Sequence, residues 1–267
     1  MHGTSLQRLA DAYRRDGIAF PIPVLSPTRT AEMRQSFEQL ERSLGGSPEP
    51  ARWTHLCFPW AYDLTMEQAV LDAVEALIGP EIIAWGSLIL CKHPGHRGYV
   101  PWHQDSANPG GDAAPSVSAW IALADSTPAN GCMRVIPGTH RELLPHHERS
   151  DPANLIRSDR ILAMAVEESR VVDVVLSAGE MSLHHEFIVH GSNPNCGSDK
   201  RIGFVVRYTT PAARSRGFPV ARARGIADCP HLTFVERPSE REPRDAFTAY
   251  LGVCDAMERE RRAGRHH

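Results

Sequence analysis

The apolar residues of this chain change their spacing near residue 80, and that change constrains the fold more than any other feature. Before it, apolar positions recur at three- and four-residue intervals. After it, short segments rich in Ile, Val, Leu, Phe and Trp alternate with turn clusters, at 82–91, 117–123, 133–136, 170–175, 181–190 and 201–209. Several strands at such intervals predict a sandwich or barrel. Helices first and strands later predict an α+β chain with a mainly β core and N-terminal helices buttressing one sheet. We expect one domain over 1–267. It comprises a helical part over about 1–80, a β core over about 81–210 and a C-terminal extension over about 211–267.

Local signals fill in the helical part. Thr4 or Ser5 caps a helix carrying Leu6, Leu9 and Tyr13 on one face, and Gly17 ends it. A short strand is expected at 18–20. Ser26-Pro27 opens a second helix with Met33, Phe37, Leu40 and Leu44 at helical spacing. A loop over 45–50 follows, and a third helix is expected over about 65–78. The charged tail from Met257 is expected to fray.

Composition excludes several function classes. The formal net charge is −3, which argues against a general nucleic-acid binder. No apolar run approaches the ~20 residues that span a bilayer. The N-terminal residues lack the apolar stretch of a secretion signal, so a cytoplasmic location and reduced cysteines are expected. None of the 6 cysteines forms a C-x-x-C pair. The near-absence of lysine, with Lys92 and Lys200 against abundant arginine, fits the coding bias of a high-GC bacterial genome.

The chemistry centres on Trp102-His103-Gln104-Asp105. In extended chain, residues i and i+2 share a face, so His103 and Asp105 present an imidazole and a carboxylate together. His190, at the end of an apolar run and before a turn, is the best third ligand. Two histidines and one carboxylate with open positions suit a non-haem Fe(II) oxygenase. Arg201 lies near His190 if the strands on either side of 191–200 form a hairpin. Its guanidinium then offers a fork to a distal carboxylate. Arg207 shares that face but lies roughly 20 Å further along the strand, so Arg201 is preferred.

These residues resemble the phytanoyl-CoA dioxygenase family of Fe(II)/2-oxoglutarate-dependent oxygenases. The resemblance extends through 119–123, 130–140, Gly179-Glu180, 190–195 and 201–208. It implies a double-stranded β-helix, or jelly-roll, core. It implies iron held by His103, Asp105 and His190, 2-oxoglutarate held by Arg201 with Ser192 as helper, and dioxygen as co-substrate. The implied reaction oxidises a small-molecule C–H bond while 2-oxoglutarate becomes succinate and CO2. Halogenating relatives replace the carboxylate ligand with a small residue; Asp105 therefore points to hydroxylation or a related oxidation. Expected substrates are a small polar or phosphonate compound or a natural-product intermediate. The alternative is a non-catalytic, cupin-like protein that binds a metal or small molecule.

Four further residues are candidates for contact with substrate. His184 shares the face of His190 if no bulge intervenes. Lys92 reads either as a countercharge to an anionic substrate or as a solvated strand end. Arg134 points either into the barrel or out. Tyr62 belongs to an aromatic stretch with Trp53, Phe58 and Trp60 that suits a lid. The pairs His93/His96 and His146-His147 are expected to face solvent, and Gln104 is expected to face away from the ligands. The sequence leaves the oligomeric state open.

Overall fold

A computed structural model describes residues 3–43, 45, 50–105, 114–156, 160–214 and 218–263. Helix α1 spans Gly3–Asp16 and ends where Gly17, at φ +80°, takes a left-handed turn and bonds back to Tyr13 O. Strand β1 (Ile18–Pro23) leads to α2 (Pro27–Ser43), whose first turn is capped by Ser26 Oγ accepting from Arg29 N–H. The short β2 (Ala51–Arg52) precedes two helices where one is expected, α3 (Pro59–Thr65) and α4 (Gln68–Ile78). The break falls at Met66 and Glu67, whose extended ψ of 123° restarts the second helix. Leu44, residues 46–49 and the last four residues lie outside the described residues.

The strands that follow are β3 (Ile82–Lys92), β4 (Val100–His103), β5 (Ser116–Ala122), β6 (Met133–Ile136), β7 (His146–Glu148), β8 (Arg160–Leu162) and β9 (Val172–Val174). The chain continues with β10 (Glu180–His185), β11 (Val189–Ser192), β12 (Arg201–Thr209), β13 (Val220–Arg224), β14 (Phe234–Val235) and α5 (Pro243–Ala263). Helix α5 carries the tail from Met257 on to Ala263, and Met257 itself is buried.

Two sheets form a jelly roll. The larger has the order β1-β10-β5-β12-β3-β13-β14, with β2 added on β3; the smaller is β4-β11-β6-β9. Strand β12 is buried on both faces and shows the division of labour. Ile202, Phe204, Val206 and Tyr208 pack outward against the helices, in one cluster with Leu9, Phe37, Leu64, Val74 and Tyr250. Val205 points inward and joins Leu88, Trp120, Met133, Val135 and Ile188 between the sheets. Each such buried side chain contributes about 1.5–3 kcal/mol, so both faces of this strand are held. Among the described residues, no helix is long and apolar enough to cross a membrane.

Two expectations about strands are corrected here. The apolar run 181–190 is broken by a turn at 186–188. Its halves enter opposite sheets, β10 beside β1 and β5, and β11 between β4 and β6. The run 170–175 shortens to Val172–Val174, because Glu168–Arg170 forms a 3-10 turn.

Candidate active site

His103 ends β4, and its register partner across the antiparallel pair is His190 on β11. This pairing, with period-2 alternation carrying Asp105 to the same side, brings the ligand atoms of His103, Asp105 and His190 within 4.8 Å of one another. The two imidazole rings are 4.1 Å apart by centroid, and His103 Nε2 is 3.7 Å from Asp105 Oδ1. Each ring is fixed by its other nitrogen. His103 Nδ1–H donates to Pro101 O at 2.9 Å, and His190 Nδ1–H donates to Ile188 O at 3.0 Å. That tautomer leaves both Nε2 lone pairs free for a metal.

Electrostatics support the same use. Burial raises the Asp105 carboxyl, but Arg207 and the histidines around it outweigh that effect and hold it well below the usual range. Burial, with His103 beside it, holds His190 well below the usual imidazole value, so it is neutral. An ionised carboxylate and a neutral imidazole, as at Asp105 and His190, are the protonation states that bind a divalent metal.

Arg207 corrects the linear reading. Its Nη2 donates to Asp105 Oδ1 at 2.8 Å, and its guanidinium lies over Trp85 at 5.6 Å. Arg207 is far from Arg201 along β12, yet it is the arginine in contact with a candidate metal ligand. The signal was available: it is the only charged residue besides Arg201 on the inward face of β12.

The hairpin between His190 and Arg201 does not form either. Strand β11 lies in the small sheet and β12 in the large one, with Arg201 paired to Lys92 of β3. Arg201 is linked to the β11 side through Lys92, its register partner, whose Nζ reaches Ser192. Arg201 is 1% exposed, stacks over Trp120 at 5.3 Å, and leaves Nε and Nη2 without a partner. Burial lowers its pKa to about 10.

Lys92 is not a solvated strand end. It is fully buried, and its Nζ donates to Ser192 Oγ at 2.6 Å, to Gly131 O and to Asn193 O. Burial, then the adjacent Arg201 charge, lowers its pKa to about 6. Lys92, Arg201 and Ser192 therefore make one buried cationic cradle beside the histidine–aspartate set.

The remaining candidates separate. His184 is 2% exposed, its ring is 5.2 Å from that of His190, and its Nε2 is 3.9 Å from Asp105 Oδ2. Gln104 turns away and ties β4 to its surroundings, donating to Glu142 O and Phe187 O and accepting from Leu144 N–H. Arg134 points outward, to Glu168 at 2.5 Å and Asp173 at 3.3 Å. Tyr62 lies on the helical side of the large sheet, with Phe58 and Trp60 in that core, so this aromatic group is packing and not a lid. His93, His96 and His146 are half-buried, whereas His147 is exposed. His93 pairs with Glu41 at 2.8 Å, in a group with Cys91 whose carboxylate already takes Lys200 at 2.5 Å.

Comparison with known proteins agrees with this geometry. A model of the phytanoyl-CoA dioxygenase family matches residues 13–203. Over 151 residues the chain is 34% identical to a phytanoyl-CoA dioxygenase of Arabidopsis thaliana, covering 56% of this chain and 52% of that protein. The chain thus spans about half the length of the curated relatives it matches first. Among solved structures, the non-heme monooxygenase ThoJ superposes with a TM-score of 0.77 at 27% identity, covering 97% of this chain and 99% of that one. The epimerase SnoN, solved with Fe3+, α-ketoglutarate and nogalamycin RO, gives 0.61 at 25% identity, over 79% of this chain and 85% of its own. With a family match over more than half its length, a jelly-roll fold and this donor set, the chain belongs to the phytanoyl-CoA dioxygenase family.

Proposed function

We propose that this chain is an Fe(II)/2-oxoglutarate-dependent oxygenase that oxidises a C–H bond of a small molecule. The observation that carries the reading is the spacing of two unlike sites along β11. His190 belongs to the metal-binding set, and Ser192, two residues on, belongs to the cationic cradle. Two residues of strand span about 7 Å, the scale of a five-carbon dicarboxylate reaching from a metal to a guanidinium.

The residues fit both groups. His103, Asp105 and His190 make a two-histidine, one-carboxylate set with open positions, as Fe(II) oxygenases use. The orphaned Nε and Nη2 of Arg201 are donors in want of an acceptor, and a carboxylate supplies a bidentate one. When bound, iron, dioxygen and 2-oxoglutarate supply the oxidising power, with succinate and CO2 as co-products; no side chain can supply it. The protein's own work is positional. Pro101 O and Ile188 O orient the imidazoles, Arg207 keeps Asp105 ionised, and Lys92 and Arg201 fix the distal carboxylate. The apolar wall of Val205, Trp120 and Ile188 keeps bulk water out. Asp105, being a carboxylate, favours hydroxylation or a related oxidation.

The test is 2-oxoglutarate turnover with Fe(II), ascorbate and a panel of candidate substrates. Succinate formation above background supports the reading. Metal binding without oxygen-dependent turnover favours the cupin-like alternative, and His103→Ala is expected to abolish both binding and turnover.

A further inference from the structure

We infer that the substrate is a predominantly apolar, ring-bearing molecule held in a cleft one side-chain row beyond the metal ligands, and not a phosphonate or other compact anion. This deepens the proposed oxygenase function and rests on it. The large sheet presents its inward side chains in rows across adjacent strands. One row, set by the registers His184↔Ser118, Ser118↔Arg207 and Arg207↔Gly86, surrounds Asp105. The next row, two residues toward the open end, contains Ser116, Thr209 and Ile83, paired in that order, with Glu186 two residues beyond His184. Two residues are about 7 Å. A molecule seated on the second row therefore lies next to the metal-binding set.

That second row lines a cleft that is partly open to solvent. The register shift between Arg207 and Tyr208 leaves Trp85 as the extra residue on β3, and Trp85 connects the two rows. Its ring carries the Arg207 guanidinium at 5.6 Å and also lines the cleft. Ile83, Phe218, Val220 and Leu232 complete a wall of aliphatic and aromatic carbon. Removing such area from water drives binding of an apolar body at roughly 25 cal/mol per Å², and the Trp85 and Phe218 rings favour stacking on another ring.

The charges in the cleft argue against an anion. Arg207 is committed to Asp105. Among the described lining residues the charged side chains are Arg214, which is exposed, and Glu186, one of each sign, so the lining carries no net positive charge to attract an anion. Among the described lining residues there is no clustered pair of buried basic groups like Lys92 and Arg201 in the cradle. A compact dianion entering here loses its hydration without recovering it.

The experiment uses the full chain, loaded anaerobically with Fe(II) and 2-oxoglutarate. Two readouts are taken: the metal-to-ligand charge-transfer band, and 19F line broadening of 5-fluoroindole as an apolar ring probe, with methylphosphonate as the competing anion. The band tests the oxygenase reading, and the fluorine signal tests the cleft. We expect 5-fluoroindole to bind and to shift the band, with methylphosphonate unable to displace it. Filling the cleft by Ala213→Trp, or independently by Ser116→Phe, should weaken probe binding at least about tenfold while the band remains. Methylphosphonate displacing the probe or binding in its place overturns the inference, as does probe binding unaffected by both folded variants or no probe binding in a protein that shows the band. Absence of the band with intact probe binding overturns the oxygenase reading instead.

Discussion

Arg201→Met separates a residue built for a ligand from one built for the fold. In the free protein the guanidinium is buried with two donors unpartnered. Each such donor costs about 1–3 kcal/mol, and stacking over Trp120 returns about 0.5–2 kcal/mol. Methionine keeps much of the volume and an unbranched, adaptable shape. The ligand-free variant should therefore be at least as stable as the parent, by up to about 5 kcal/mol, and each kcal/mol raises Tm by about 2–4 °C at this size. The same change removes two charge-assisted hydrogen bonds of about 1.5–3 kcal/mol each to the 2-oxoglutarate carboxylate. The dissociation constant should rise about 10²- to 10⁴-fold. Thermal melts with and without 2-oxoglutarate, and an anaerobic titration of the charge-transfer band, measure both quantities. A Tm lower by several degrees with unchanged affinity would falsify the reasoning, because Arg201 would then be a structural cation.

Three other outcomes follow from the same geometry. Arg207→Leu should weaken Fe(II) binding about 10- to 100-fold, because Asp105 loses the partner that keeps it ionised; 2-oxoglutarate affinity should change far less than in Arg201→Met, and the reverse order would exchange the two arginines' roles. Lys92 has a folded pKa of about 6, below its ordinary 10.5. Its contribution to stability is therefore fully present above 10.5 and is lost as pH falls toward 6. A dicarboxylate bound beside it favours the ammonium, so 2-oxoglutarate binding at pH 8 should take up about one proton. Calorimetry in two buffers of unlike ionisation enthalpy reads the number directly, and zero uptake contradicts the cradle. Finally, Gly203→Ala should cost about 1–3 kcal/mol by overpacking, since a Cβ there runs into the Trp120 indole that underlies Arg201. An unchanged denaturation midpoint would mean that Trp120 moves freely.

Local rules carried much of the way from sequence to site. Alternation in an extended segment was enough to place His103 and Asp105 on one face. The apolar run before 191–195 marked His190 as a candidate ligand, although β11 runs on to Ser192, and helix caps at Gly17 and Ser26 fell where expected. These features depend on a few neighbouring dihedrals, and residue type reports those directly. The same rules failed wherever the answer lay in another strand. Nothing local distinguishes a continuous 181–190 strand from two strands joined by a corner, since the apolar residues on either side of 185–187 are buried in both cases. The hairpin between His190 and Arg201 was a reasonable local guess, but the two strands belong to different sheets.

The sequence by itself determined the class of fold, the identity of the candidate metal ligands and the choice of Arg201 as the candidate arginine for a dicarboxylate. Each is a matter of residue type in order along the chain. Tertiary structure alone decided what those charges do. Lys92 is a buried donor because Gly131, Ser192 and Asn193 converge on it from 39 to 101 residues away. Arg207 serves Asp105 because β12 and the end of β4 face each other across the barrel. The physical reason is common to both. A charge in a low-dielectric interior takes its function from whatever stands within about 4 Å, and those neighbours are chosen by sheet pairing, not by adjacency in sequence.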